Sequence, residues 1–96
     1  MKDRRAVKEE LLEALGSESK LRILLALSEH PYTLFTTYSI MKATGLRRQD
    51  ANKMIKRLCE LGWVKQQTYG IRKYQINVEK EEVKHLLTFL KSTEAI

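Results

Sequence analysis

The stretch TGLRRQDANKMIKRLCELGWV, Thr44 to Val64, opens on a turn residue, carries five basic side chains and closes on Gly-Trp-Val. Its apolar residues Ala51, Met54, Ile55 and Leu58 fall at i, i+3, i+4 and i+7, the spacing of one buried helix face. At about 100° per residue, the opposite face gathers Gln49, Asn52, Lys53, Lys56, Arg57 and Glu60. The spacing predicts a helix over residues 47–61, ended by Gly62. One side of it belongs to a core, and the other offers nitrogen-rich side chains to solvent.

The charge pattern around this helix sets it apart from the rest of the chain. Residues 47–73 hold eight basic side chains (Arg47, Arg48, Lys53, Lys56, Arg57, Lys65, Arg72 and Lys73) and two acidic ones, Asp50 and Glu60. Their balance of +6 equals the net charge of the whole chain of 96 residues. All remaining acidic and basic groups cancel. A charge serving solubility alone would be spread along the sequence, whereas a face that binds a polyanion would be concentrated.

Upstream, Thr36 or Thr37 can cap a short helix over 38–44 that stops at Gly45, with Ile40, Met41 and Ala43 turned inward. A short helix, a tight glycine turn and a second helix predict a helix-turn-helix over about 38–61. Downstream, Trp63-Val64 begins a strand, Tyr69-Gly70 marks a turn, and Arg72 to Val78 returns with Tyr74, Ile76 and Val78 on one face. That hairpin, over about 63–78, is a wing. The flanks read as helices. Residues 3–15 repeat Val7, Leu11, Ala14 and Leu15, and Gly16 ends them. Ser17 caps a second helix over 18–29 that is apolar on nearly every side and belongs at the centre of the fold, ending at His30-Pro31. Tyr32 to Tyr38 suits an extended segment. Residues 79–92 put Val83, Leu86, Leu87 and Leu90 in register. The fold class is mostly α with a small β-hairpin, a winged helix-turn-helix in one domain over residues 1–96.

Several classes are excluded. The single cysteine, Cys59, gives no internal disulfide and no thiolate-rich zinc site, and His30 and His85 have no partner at ligand spacing. Cys59 reads as a small core residue, with a thiolate activated by nearby cations as the alternative. The longest apolar run, Ile23 to Leu27, is too short to cross a bilayer. The charged start (Lys2, Asp3, Arg4, Arg5) is unlike a signal peptide, so a cytoplasmic, nucleoid-associated protein is expected. There is no glycine-rich phosphate loop and no arrangement of nucleophile and base, so neither enzyme activity nor a cofactor or metal is expected.

Two stretches carry a family resemblance. LGSESKLRILLALSEHP (Leu15–Pro31) resembles the second-helix signature of ArsR-like and MarR-like winged-helix transcription regulators, and SIMKATGLRRQDANKMIKRLCELGWVKQQTYGIRKYQI (Ser39–Ile76) resembles their helix-turn-helix and wing. Compact archaeal and archaeal-virus regulators are similar in size. The resemblance covers about residues 11–78 and implies a transcription regulator. Two departures matter. Arg47 stands where such proteins often carry a capping Ser or Thr, so a cap is expected from elsewhere, through Thr44. The cysteine and acidic clusters of metal-sensing members are missing, so metal sensing is not implied.

A B-form major groove, roughly 12 Å wide, admits one helix. Gln49 and Asn52 suit adenine N6 and N7, and Arg48 or Lys53 suits guanine O6 and N7. Arg47 and Lys56 are better placed for phosphates, and Arg57 shares their face. Asp50 would orient an arginine or accept from cytosine. In the wing, Lys65, Arg72 and Lys73 flank the tip and supply sequence-independent affinity. Tyr69 is either a turn residue or a stacking contact. One helix reads only about four base pairs, so a homodimer on duplex DNA is expected, joined through residues 3–15 and 79–92. The alternative is a winged helix serving as a protein-interaction module of a transcription or chromatin complex.

Overall fold

In a computed structural model, which describes residues 3–96, the chain forms α1 (Arg4–Leu15), α2 (Glu18–Glu29), α3 (Thr37–Thr44), α4 (Arg48–Glu60), β1 (Val64–Gln67), β2 (Lys73–Ile76) and α5 (Glu81–Ser92). The helix-turn-helix is α3–α4 and the wing is β1–β2.

Local chemistry sets these boundaries. Asp3 caps α1 by accepting from the Arg5 amide, and Ser17 caps α2 by accepting from the Lys20 amide. Thr36 and Ser39 form a reciprocal capping box at the start of α3. Gly45 ends α3 at φ 77, in the left-handed region that a side chain disfavours. The apolar α2 occupies the centre, with Ile23, Leu24 and Leu27 fully buried, and packs against α1, α3, α4 and β2. Ile40, Ala51, Ile55, Leu58, Trp63, Ile76 and Val83 complete the same core.

The strands pair antiparallel, Val64 opposite Ile76 and Gln67 opposite Lys73. Alternation then buries Tyr74 and Ile76 under the wing. Trp63 lies just before β1 and is 1% exposed, and its indole N–H donates to Glu10 Oε2 at 2.8 Å. The largest core side chain therefore ties the wing's root to α1.

Three expectations need correction. The extended segment Tyr32–Tyr38 contracts to one bridge, Phe35 with Tyr74, whose amides and carbonyls exchange bonds at 2.7 Å. A turn closed by Thr33 N–H to His30 O and the Thr36 cap leave no room for more. Ala43 is exposed, and Thr44 is buried in its place, because its hydroxyl donates to Ile40 O at 2.7 Å. Of the apolar residues expected to seat α1, Ala14 is buried, while Leu11 stays exposed with its neighbour Leu12.

Candidate nucleic-acid interface

The turn that aims α4 is held from several sides. The Thr44 hydroxyl, besides its bond to Ile40, accepts from the Leu46 amide at 3.3 Å, and Arg22 Nη1 donates to the Thr44 carbonyl at 3.1 Å. Leu46 packs on the core. Thr44 thus closes the turn and fastens it to α2, but it does not cap α4, contrary to expectation: Arg47 stands at the N-cap in extended geometry, and no side chain makes a capping bond there. Asp50 in the first turn complements the helix dipole instead and makes no ion pair among the described residues, so it orients no arginine.

With Ala51, Ile55 and Leu58 buried, the polar face is left to solvent. Arg47, Arg48, Gln49, Asn52, Lys53, Lys56 and Arg57 are all exposed. The face divides into two margins. Arg48, Asn52 and Lys56 line an open groove whose far wall is the wing, through Gln66, Ile71 and Arg72, and whose end is the start of α3, through Thr36, Thr37 and Tyr38. Lys53 and Arg57 lie on the other margin, around a hollow shared with Glu13 and Lys20.

That second margin changes the standing of Arg57. Its Nε donates to Glu13 Oε1 at 3.0 Å, and its Nη1 reaches Glu60 Oε1 at 3.4 Å. Glu13 also holds the ammonium of Lys20, a nearly buried cation that donates to the Glu13 carbonyl oxygen as well. Lys20 first and Arg57 second hold the Glu13 carboxyl below its ordinary range, and Glu13 raises the Arg57 guanidinium in return. Arg57 was expected to face a ligand; its exposed side chain also bridges α4 to α1. Lys65 is partnered too, with Glu79 Oε2 at 3.1 Å, and both this pair and the Arg57 pair are exposed to screening by water. Arg47, Arg48, Lys53, Lys56, Arg72 and Lys73 make no ion pair among the described residues. Lys73 is half-buried at the start of β2, and Tyr69 projects from the tip at 86% exposure, outside the groove.

Sequence reasoning did not place Thr37, Tyr38, Gln66 or Ile71 at the site. Thr37 donates its hydroxyl to Asn52 Oδ1 at 3.3 Å, which orients that amide. Tyr38 is 58% exposed beneath the Lys42 ammonium, 5.3 Å from its ring centroid. Ile71 is 72% exposed beside Arg72. The Thr36 cap was the available signal for the first two, since it puts both at the leading end of α3.

Cys59 is half-buried at the floor of the groove, and burial, with Glu60 beside it, pushes its thiol up. The neighbouring cations do not activate it. Among the described residues no cluster of His, Cys, Asp and Glu could hold a metal ion, and no helix is long and apolar enough to cross a membrane.

A short helix, a left-handed glycine turn, a second helix with an exposed polar face and a hairpin beside it define a winged helix-turn-helix protein. The MarR family model matches residues 17–68, more than half of the chain, and the chain belongs to the MarR family. No curated protein matches it. Among solved structures, it is similar to a predicted DNA-binding transcriptional regulator from E. coli, at 26% identity and a TM-score of 0.71, over 93% of this chain and 94% of that one. It is also similar in fold to a homodimeric winged helix-turn-helix DNA-binding domain from Mycobacterium bovis, a possible ArsR-family regulator. There the identity is 23% and the TM-score 0.68, over 98% of this chain and 87% of that one. Neither likeness points to the archaeal origin that chain size suggested.

Proposed function

We propose that this protein is a transcription regulator that binds duplex DNA by sequence, with α4 in the major groove and the wing on the backbone or in the adjoining minor groove. One observation carries the reading. The polar face of α4 is exposed from Arg48 to Lys56, and the wing's Arg72 stands across an open groove from it. Such a groove, cationic on both walls, suits one phosphate strand running between two contact points. Gln49, Asn52, Arg48 and Lys53 are the base readers, with Thr37 fixing the Asn52 amide. Arg47, Lys56, Arg72 and Lys73 meet phosphates, and Lys65 joins them by releasing Glu79. Tyr69 contacts the same duplex from the wing tip. Arg57 serves by fixing the helix. Membership of the MarR family and the E. coli and mycobacterial likenesses support the same function.

The protein acts as a homodimer in this reading, because one helix reads about four base pairs and two-fold pairing doubles that. The exposed Leu12 of α1 and Phe89 of α5, 71% and 61% accessible, are the apolar surface that a partner subunit would cover. Leu12→Glu with Phe89→Glu should give monomeric mass by light scattering where the unmodified chain gives twice that mass.

Anisotropy titrations with duplex DNA, single-stranded DNA and RNA of one sequence test the function. The reading expects duplex to bind tightest. Equal or tighter binding of the single strands would overturn it, and binding of none would favour the protein-interaction alternative.

A further inference from the structure

Resting on that reading, we propose that the wing tip is an apolar wedge: Tyr69 and Ile71 enter the minor groove beside the α4 site and open a base step there, making a deformable step part of the recognised sequence. The tip spans residues 68–72, between the last residue of β1 and the first of β2. Gly70, at φ 63 with open space around it, reverses the chain so that the residues on either side project outward. Both are large and apolar, Tyr69 at 86% and Ile71 at 72% exposure, and neither is packed into the protein's own core.

The surroundings of Ile71 identify what would cover the tip. Ile71 shares its groove with Arg48, Lys56 and Arg72. Glu60 lines the groove too, but the three cations outnumber that acid, and an apolar side chain in such a setting fits poorly on a plain hydrophobic protein surface. It fits a duplex minor groove, where sugar C–H faces line the inside and phosphates frame both edges. Minor-groove proteins insert apolar side chains, isoleucine among them, between base steps and kink the duplex. Pyrimidine–purine steps yield most easily, so the wedge reads sequence through deformation, without hydrogen bonds to the bases. The hydrogen-bonding readers of α4 are a separate set, so the two kinds of selectivity can be removed independently.

The test uses duplexes that the protein enriches from random sequence, labelled at both ends for energy transfer. The expected bend is roughly 20–90°. Tyr69→Ala with Ile71→Ala should straighten the duplex and weaken binding about tenfold. The slope of affinity against salt should stay unchanged, because no charge is removed. The favoured complex should also lose its preference for TA or CA at the flanking step. Both positions are exposed, so the circular dichroism spectrum and melting temperature should match those of the unmodified chain. A duplex that is bound but straight, or a double variant that bends it equally, overturns the wedge and leaves DNA recognition standing. Absence of duplex binding by the unmodified protein overturns both.

Discussion

Lys56 and Arg57 are adjacent basic residues on one helix face, and they differ in their partners. Lys56 lines the groove with no ion pair among the described residues, whereas Arg57 is engaged by Glu13 and Glu60. Counterion release turns that difference into a measurable quantity. Each phosphate neutralised adds about −0.9 to the slope of log affinity against log salt. The unpaired cations proposed to meet phosphates, Arg47, Lys56, Arg72 and Lys73, give a slope near −3.6 per protomer, and about −4.5 if Lys65 lets go of Glu79. The lower figure corresponds to roughly a 150-fold loss of affinity per protomer between about 50 and 200 mM salt. Lys56→Ala should make the slope shallower by about 0.9 per protomer. Arg57→Ala should leave the slope unchanged and lower the melting temperature instead, since it frees Glu13 from α4. Fluorescence anisotropy of a labelled duplex across a salt series, with thermal melts of both variants, reads the contrast. If Arg57→Ala makes the slope as shallow as Lys56→Ala does, the ion pair does not withhold Arg57 from DNA and the division of the face into two margins is wrong.

Base reading predicts a different signature: Gln49→Ala or Lys53→Ala should each cost about 1–3 kcal/mol of specific binding and relax the preference at one position, measured on a panel of single-base operator variants. Gly45→Ala meets no steric obstacle, since a Cβ there has nothing within 4 Å, but it must hold φ 77. Left-handed backbone costs a side-chain residue about 1–2 kcal/mol. The melting temperature should fall by several degrees, and an unchanged melt would mean that the turn is not left-handed. Acid should loosen the attachment of α1. Glu13 is held below its ordinary value of 4.5 by Lys20 and then Arg57, so the unfolded chain binds its proton more readily than the folded one. The stability it contributes is complete above that ordinary value and is lost as pH falls through the lower folded value. Glu13→Gln should flatten the acid limb of stability measured by denaturant unfolding from about pH 7 to about pH 3, and parallel limbs would refute the role.

The sequence made the helix-turn-helix legible because each boundary there rests on a local signal. Gly45 supplies a backbone conformation, Thr36 supplies a cap, and Ala51, Ile55 and Leu58 supply a period. The wing was legible for the same reason, through Tyr69-Gly70 and the alternation of Tyr74 and Ile76. What stayed hidden depends on residues distant along the chain. Arg57 meets Glu13 across 44 positions and Lys65 meets Glu79 across 14, so a charge excess confined to residues 47–73 in sequence is partly balanced in space. The groove likewise draws Thr37 and Tyr38 from the start of α3 and Ile71 from the wing tip, and no periodicity of α4 could have named them. Thr44 shows a smaller limit. A threonine at the end of a helix reads as polar surface, yet its hydroxyl finds the Ile40 carbonyl and the residue is buried at 7% exposure.

Selection of bound duplexes from random-sequence DNA tests most directly whether the exposed face of α4 reads bases. Enrichment of a short motif repeated with two-fold symmetry, its half-sites about 34–36 Å apart, is the predicted result. A bound pool with no enriched motif would contradict it, leaving a cationic surface that holds DNA without reading it.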